Sequence, residues 1–168
     1  MNSIILIGFM GAGKTTIGKK LAKELDYKFL DTDEMIVSRE GMSINDIFDR
    51  YGEEHFRTLE TELLAELVEN NVENVIFSVG GGLPVRKDNH FYLKKLGKVI
   101  YLSVVESTIR KRLAGDTQRP LLRGSEKEVA DRINSMLEKR DPIYREVADI
   151  ILQTDNMSVS EIVEEIIK

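Results

Sequence analysis

The sequence predicts an α/β fold, a three-layer α/β/α arrangement around a five-stranded parallel sheet. Short continuous apolar runs recur along the chain, each ended by glycine or a polar turn, as strands buried on both faces of a parallel sheet require. Between them lie segments whose apolar residues repeat at helical spacing, and strands alternating with helices imply parallel crossovers. At 168 residues and 42% hydrophobic content the chain suffices for one well-buried core.

Ile4, Ile5, Leu6 and Ile7 form the first run, broken at Gly8. Ile17, Leu21, Ala22 and Leu25 mark a helix over 15–25, and Phe29-Leu30 offers a second strand ending at Asp31. Ser43 suits the N-cap of a short helix carrying Ile44, Ile47 and Phe48, which Tyr51-Gly52 closes. A longer helix over 53–69 lines Phe56, Leu59, Leu63, Leu64 and Leu67 along one stripe. The run 75–79 is the third strand and enters Gly80-Gly81-Gly82; 99–102 is the fourth, followed by a helix over 106–113. The stretch 115–126, with Arg119, Pro120 and Arg123, lacks periodicity and reads as a mobile loop. Helix resumes over 126–139 and ends near Arg140-Asp141-Pro142, before a fifth strand at 150–152 and a closing amphipathic helix at 160–167. Without repeat or linker, residues 1–168 read as a single domain.

Composition narrows the classes. Lys and Arg (24) against Asp and Glu (29) give a net charge of −5, which argues against a nucleic-acid partner and makes any basic site local. With no cysteine there is neither a disulfide framework nor a thiolate zinc site, and the composition suits a reducing cytoplasm. No apolar stretch approaches the roughly 20 residues of a membrane span, and the apolar start meets Lys14 too soon to be a signal peptide. The expected state is a cytoplasmic monomer. His55 and His90 show no metal-ligand spacing and read as surface residues without a role.

Gly8-Phe9-Met10-Gly11-Ala12-Gly13-Lys14-Thr15 fits G-x-x-x-x-G-K-[ST] between a predicted strand and a predicted helix. Glycines there let successive N–H groups converge on phosphate oxygens, and the following helix adds its positive end. Lys14 reaches the β and γ phosphates, and the Thr15 hydroxyl is placed to ligate Mg²⁺. The chain is therefore expected to bind a nucleoside triphosphate with magnesium.

Such a loop serves switches, motors and phosphoryl transferases alike, so the acceptor must be sought elsewhere. Asp31-Thr32-Asp33 follows the second strand, at the sheet edge where α/β ligands bind; one carboxylate could support the metal's water shell and the other accept a hydroxyl proton. The same triplet also suits a solvated turn with an N-capping Asp. Arg57 and Glu60 lie three apart on one helix, either a carboxylate orienting a guanidinium or an ordinary surface pair. Gly80-Gly81-Gly82 at a strand end implies close approach of a ligand. Arg119 could swing charge over a transferring phosphate, while for both it and Arg140 the default from sequence alone is a solvated surface position.

Together these residues resemble the shikimate kinases, a P-loop kinase family of the nucleoside monophosphate kinase-like group. The resemblance rests on IILIGFMGAGKTTIGKKLA, FLDTDEMI, DIFDRYGEEHFRTLE, SVGGGLP, TQRPLL and KRDPIYREVAD in that order, and spans nearly the whole chain. It implies transfer of the γ-phosphoryl group from ATP to the 3-hydroxyl of shikimate, with a mobile lid over about 114–126. It further implies ATP contacts at Gly11, Ala12, Gly13, Lys14, Thr15, Thr16, Arg112 and Arg119, and catalytic roles for Lys14, Asp33 and Arg119. Shikimate contacts fall on Asp33, Arg57, Gly80, Gly81, Gly82 and Arg140, and metal support on Thr15 and Asp31. Gln153-Thr154-Asp155-Asn156 departs from the family by lacking the arginine and proline that some members place against adenine; Arg112 is the alternative stacking group.

Three rivals make distinct demands. A gluconate kinase would keep the phosphate loop without needing two arginines for a cyclic acid. A GTPase switch calls for an N-K-x-D segment, which the sequence lacks. A non-catalytic nucleotide-binding subunit is expected to lack a proton acceptor such as Asp33.

Overall fold

The computed structural model describes residues 2–114 and 122–168. Its strands are β1 (Ile4–Ile7), β2 (Lys28–Asp31), β3 (Val75–Ser78), β4 (Lys98–Ser103) and β5 (Ile150–Gln153). All neighbours pair in parallel, in the order β2-β3-β1-β4-β5. The helices are α1 (Lys14–Leu25), α2 (Thr32–Glu40), α3 (Ile44–Tyr51), α4 (Glu53–Glu69), α5 (Asp88–Leu96), α6 (Glu106–Arg112), α7 (Glu126–Val147) and α8 (Val159–Ile167).

The period of the strands sorts the core into two layers. Ile5, Ile7, Val75, Phe77, Val99 and Tyr101 face one cluster, which α2, α3, α4 and α5 cover with Ile36, Ile47, Phe56, Leu63, Leu64 and Leu93. Leu6, Ile76, Ile100 and Leu102 face the other, covered by Ile17 and Leu21 of α1, Ile109 of α6 and Ile162 of α8. Burying one such side chain contributes about 1.5–3 kcal/mol, so covering both faces of β1 fixes the central strand.

Ser43 caps α3 through the Asp46 N–H, as the sequence predicts, and α8 starts one residue before the expected 160, at a capping box of Ser158 with Glu161. Two helices escape the sequence reading, because α2 and α5 have weak apolar periodicity and bury only a few residues each. A third difference concerns α7, expected to end near residue 139. It continues through Pro142 to Val147, although Pro142 can donate no hydrogen bond to the preceding turn. Tertiary packing overrides that signal: Tyr144 and Val147 lie in one core layer, whereas Val129 and Ile133 of the same helix lie in the other. One helix thus joins both sides of the sheet.

Strand order places the site. β1 sits centrally with β3 on one side and β4 on the other, and ligands of open α/β sheets bind outside the carboxyl ends where the order reverses. The register aligns Asp31 with Ser78 and Ser78 with Leu6, so the segments leaving β2, β3 and β1 emerge side by side.

Candidate active site

The loop after β1 is wound as its composition demands. Gly11 (φ +79°) and Gly13 (φ +93°) occupy the left-handed region, and Gly13 stands at the N-cap of α1 without any side-chain cap. The leading N–H groups of α1 thus point outward at the loop. Lys14 Nζ donates to the Gly8 carbonyl at 2.7 Å and to the Phe9 carbonyl at 3.1 Å, folded along the loop it is expected to leave when phosphate arrives. Thr15 and Thr16 are exposed on the first turn of α1. Arg112, from α6, donates to the Gly11 carbonyl at 3.0 Å, so this predicted nucleotide contact does lie against the phosphate loop.

The loop opens into a cleft of about 520 Å³. Lys14, Thr15, Thr16, Asp31, Asp33, Arg57, Gly80, Gly81, Gly82 and Arg140, from five separate stretches of the chain, all line it. The structure therefore gathers the predicted acceptor residues beside the phosphate loop. Arg119 and Pro120 lie outside the described residues, as does most of the proposed lid.

The glycine strip explains itself by what lies over each member. A Cβ on Gly80 would stand 2.7 Å from Asp33 Oδ1, one on Gly81 would stand 3.3 Å from Arg140 Nη1, and one on Gly82 would stand 2.6 Å from Arg57 Cζ. Each glycine is thus the floor under one of the three charged groups predicted to hold the acceptor. A side chain on Gly80 or Gly82 would push its partner aside, and one on Gly81 would press Arg140 back by a few tenths of an ångström.

Asp31 and Asp33 have separate situations. Asp31 caps α2, accepting from the Glu34 N–H at 3.1 Å, so the capping alternative holds for this residue although it also lines the cleft. Asp33 sits in the first turn of α2, its carboxylate over Gly80, whose N–H donates to the buried Thr32 hydroxyl at 3.1 Å.

The Arg57–Glu60 pair is not the ordinary surface pair that its spacing alone favoured. Arg57 Nη1 donates to Glu60 Oε1 at 2.7 Å, and Glu60 is 0% exposed. Burial pushes the Glu60 carboxyl up to about 7, against the lowering effect of Arg57 and with a smaller raising effect from Asp33. Its Oε2 has no hydrogen-bond partner among the described residues. Arg57 packs over Phe56, with Cζ 5.4 Å from the ring centroid, and Arg140 packs over Phe9 at 5.6 Å. Both guanidiniums are held from behind.

A pH signature follows. Because the folded pKa of Glu60 (about 7) exceeds its ordinary value (4.5), the folded chain keeps a proton that the unfolded chain has released. This contribution to stability is present below pH 4.5 and is lost as pH rises through about 7. Its size is about 3 kcal/mol. Urea unfolding of wild type and Glu60→Gln at about pH 5 and about pH 8 checks it, since only wild type carries this loss. Parallel pH dependences in the two proteins would remove Glu60 as the titrating group.

Sequence reasoning missed two features. His90 is half-buried and its Nε2 lies 2.6 Å from the Pro84 carbonyl, a structural contact in place of the expected surface position; His55 is exposed beside Tyr51. Tyr144, 0% exposed, donates its hydroxyl to the Gly81 carbonyl at 2.6 Å. The signal for Tyr144 was its place four residues after Arg140, visible only once the helix is read through Pro142.

On the far side of α6, Asp155 accepts from the Val105 N–H at 3.0 Å, from the Thr108 hydroxyl at 2.7 Å and from the Gln153 amide at 3.3 Å. These bonds hold its carboxyl below the usual carboxylate range, although burial opposes them as the largest single effect. The segment that departs from the family pattern is therefore tied to the start of α6.

A family model described as shikimate kinase matches residues 10–168. A shikimate kinase of Sulfurihydrogenibium is 42% identical over 167 residues, covering 99% of this chain and 96% of that protein. One from Thermodesulfovibrio yellowstonii is 42% identical and covers 100% and 94%. Among solved structures, the shikimate kinase of Acinetobacter baumannii in complex with shikimate superposes with a TM-score of 0.89 at 36% identity, covering 99% of this chain and 91% of that one.

Proposed function

The chain belongs to the shikimate kinase family, and on that premise we propose that it transfers the γ-phosphoryl group of ATP to the 3-hydroxyl of shikimate, a step of aromatic amino-acid biosynthesis. The observation that carries this reading is the glycine strip with Asp33, Arg140 and Arg57 seated on it, in the same cleft as the phosphate loop.

The chemistry follows from these groups. Gly11, Ala12, Gly13, Lys14, Thr15 and Thr16 supply the amides, ammonium and hydroxyls for the triphosphate. Lys14, leaving the carbonyls of Gly8 and Phe9, follows charge onto the transferring phosphoryl oxygens. Arg57 and Arg140 meet the shikimate carboxylate, a task suited to guanidinium forks. The strip Gly80, Gly81 and Gly82 lets the ring lie close to backbone. Asp33 accepts hydrogen bonds from the ring hydroxyls and takes the proton of the attacking one. Arg112 contacts the nucleotide, and Arg119 is assigned to the phosphates by family resemblance.

The donors near the phosphate loop fit magnesium, since the Thr15 hydroxyl and the Asp31 carboxylate are hard oxygen ligands. Thr15 would bind it directly and Asp31 through water, Asp31 Oδ2 taking no part in the capping bond. Bound there, Mg²⁺ would neutralise charge on the phosphate oxygens. A monomer in the cytoplasm fits the self-contained core and cysteine-free composition. The net charge of −5 speaks against a nucleic-acid partner, and no helix among the described residues is long and apolar enough to cross a membrane.

The test is a coupled ADP-release assay with gluconate run alongside. ADP release is expected to require shikimate and Mg²⁺ together and to stay at background with gluconate. Equal release with and without shikimate would end this reading, and a response to gluconate alone would move the chain to the rival activity.

A further inference from the structure

Arg140 and the central glycine of the strip belong to elements far apart in the chain, yet a single side chain touches the surroundings of both. Tyr144 lies one turn beyond Arg140 on α7, shares its face, and is 0% exposed. Its hydroxyl donates to the Gly81 carbonyl at 2.6 Å. The Arg140 charge acts on the same hydroxyl, and Arg140 Nη1 stands 3.3 Å from the point a Cβ on Gly81 would occupy. Arg140 and the Tyr144 hydroxyl, one turn apart on α7, therefore both meet the backbone at Gly81. The Tyr144 oxygen has one proton to give, committed to Gly81, and lone pairs for a cation.

The surroundings keep that hydroxyl where it is. The Tyr144 ring lies 5.0 Å from the Tyr101 ring, whose own hydroxyl donates to Asp141 Oδ1 at 2.7 Å; Arg145 Nε meets Asp141 Oδ2 at 2.8 Å. This bracing falls on the stretch where Pro142 removes one backbone hydrogen bond from α7. Burial raises the Tyr144 hydroxyl above its ordinary value, while the nearby Arg140 and Arg57 charges lower it, so it remains a donor throughout the working pH range.

We propose that Tyr144 is a positioning residue for the acceptor: its hydroxyl fixes the Gly81 backbone and the Arg140 guanidinium at one separation, matched to a substrate whose carboxylate and ring must touch both. This rests on the acceptor site assigned above. The hydroxyl acts through Gly81 and Arg140 and not on the nucleotide, so its loss is felt by one substrate.

A double-mutant cycle of Tyr144→Phe and Arg140→Ala tests it, with steady-state constants for both substrates. Tyr144→Phe keeps the ring and its packing and is expected to raise the KM for shikimate roughly tenfold, leaving the KM for ATP within about twofold. In the Arg140→Ala background the same change should cost no more than about threefold, because the group it positions has gone. If Arg140→Ala alone leaves the shikimate KM unchanged, the acceptor site itself is misassigned. If Arg140→Ala raises it while Tyr144→Phe lowers only the Tm, or raises both KM values equally, Tyr144 is merely structural and the proposal fails. Should Tyr144→Phe not fold, 3-fluorotyrosine placed at 144 keeps the hydroxyl, and its fluorine resonance is expected to move when shikimate joins a sample saturated with Mg·ADP. A resonance that stays put overturns the proposal equally.

Discussion

Asp33→Asn is expected to lower turnover with shikimate by about 10²–10⁴-fold, the usual contribution of a positioned proton acceptor, while Mg·ADP binds as before. The substitution is close to isosteric, so the contact over Gly80 survives and the backbone of α2 has no reason to move. What changes is charge: an amide accepts hydrogen bonds from ring hydroxyls but takes no proton from the attacking one. The loss should appear in kcat more than in KM. Nucleotide titration by calorimetry, next to initial rates, separates the two sites. Turnover within threefold of wild type would mean that the proton leaves by another route, and Asp33 would then be a binding residue only.

Gly82→Ala should lower kcat/KM for shikimate by about 10²-fold, the scale expected when a held charge is moved off its partner. The backbone is not the obstacle, since Gly82 has φ −87° and ψ −12°, values any residue adopts. The obstacle is the guanidinium above it: the new methyl would fall 2.6 Å from both Arg57 Cζ and Arg57 Nη1. An exposed arginine would swing aside at little cost. Arg57 would have to give up its bond to Glu60, which is 0% exposed and 2.7 Å away, leaving a buried carboxyl without its donor. The Arg57→Ala, Gly82→Ala double variant should accordingly be no worse than Arg57→Ala alone. Near-normal shikimate kinetics for Gly82→Ala would show that Arg57 yields freely and that Glu60 does not pin it.

Legibility differed from residue to residue for physical reasons. The phosphate loop was complete in the sequence because its chemistry is local: glycines, one ammonium and one hydroxyl act within a single turn between strand and helix. Strands β1, β3 and β4 were equally plain, since burial on both faces keeps the middle of each run apolar and leaves polar residues such as Ser78, Lys98 and Ser103 to its ends. Helices α2 and α5 were missed because each buries few residues and carries little apolar rhythm. The extent of α7 was misjudged at Pro142, where local propensity argued for an end and Tyr144 and Val147 in the core argued otherwise.

By itself, then, the sequence determined the fold class, the strand-loop-helix that grips phosphate, and the family, all of which depend on residues near one another or on ordered motifs. Only the tertiary structure decided that Glu60 is buried beneath Arg57, that each glycine of the strip lies under a different charged group, and that Tyr144 reaches Gly81. Those are relations between segments up to 63 positions apart. Spacing along a chain carries no distance between such segments; packing both layers against one sheet creates it.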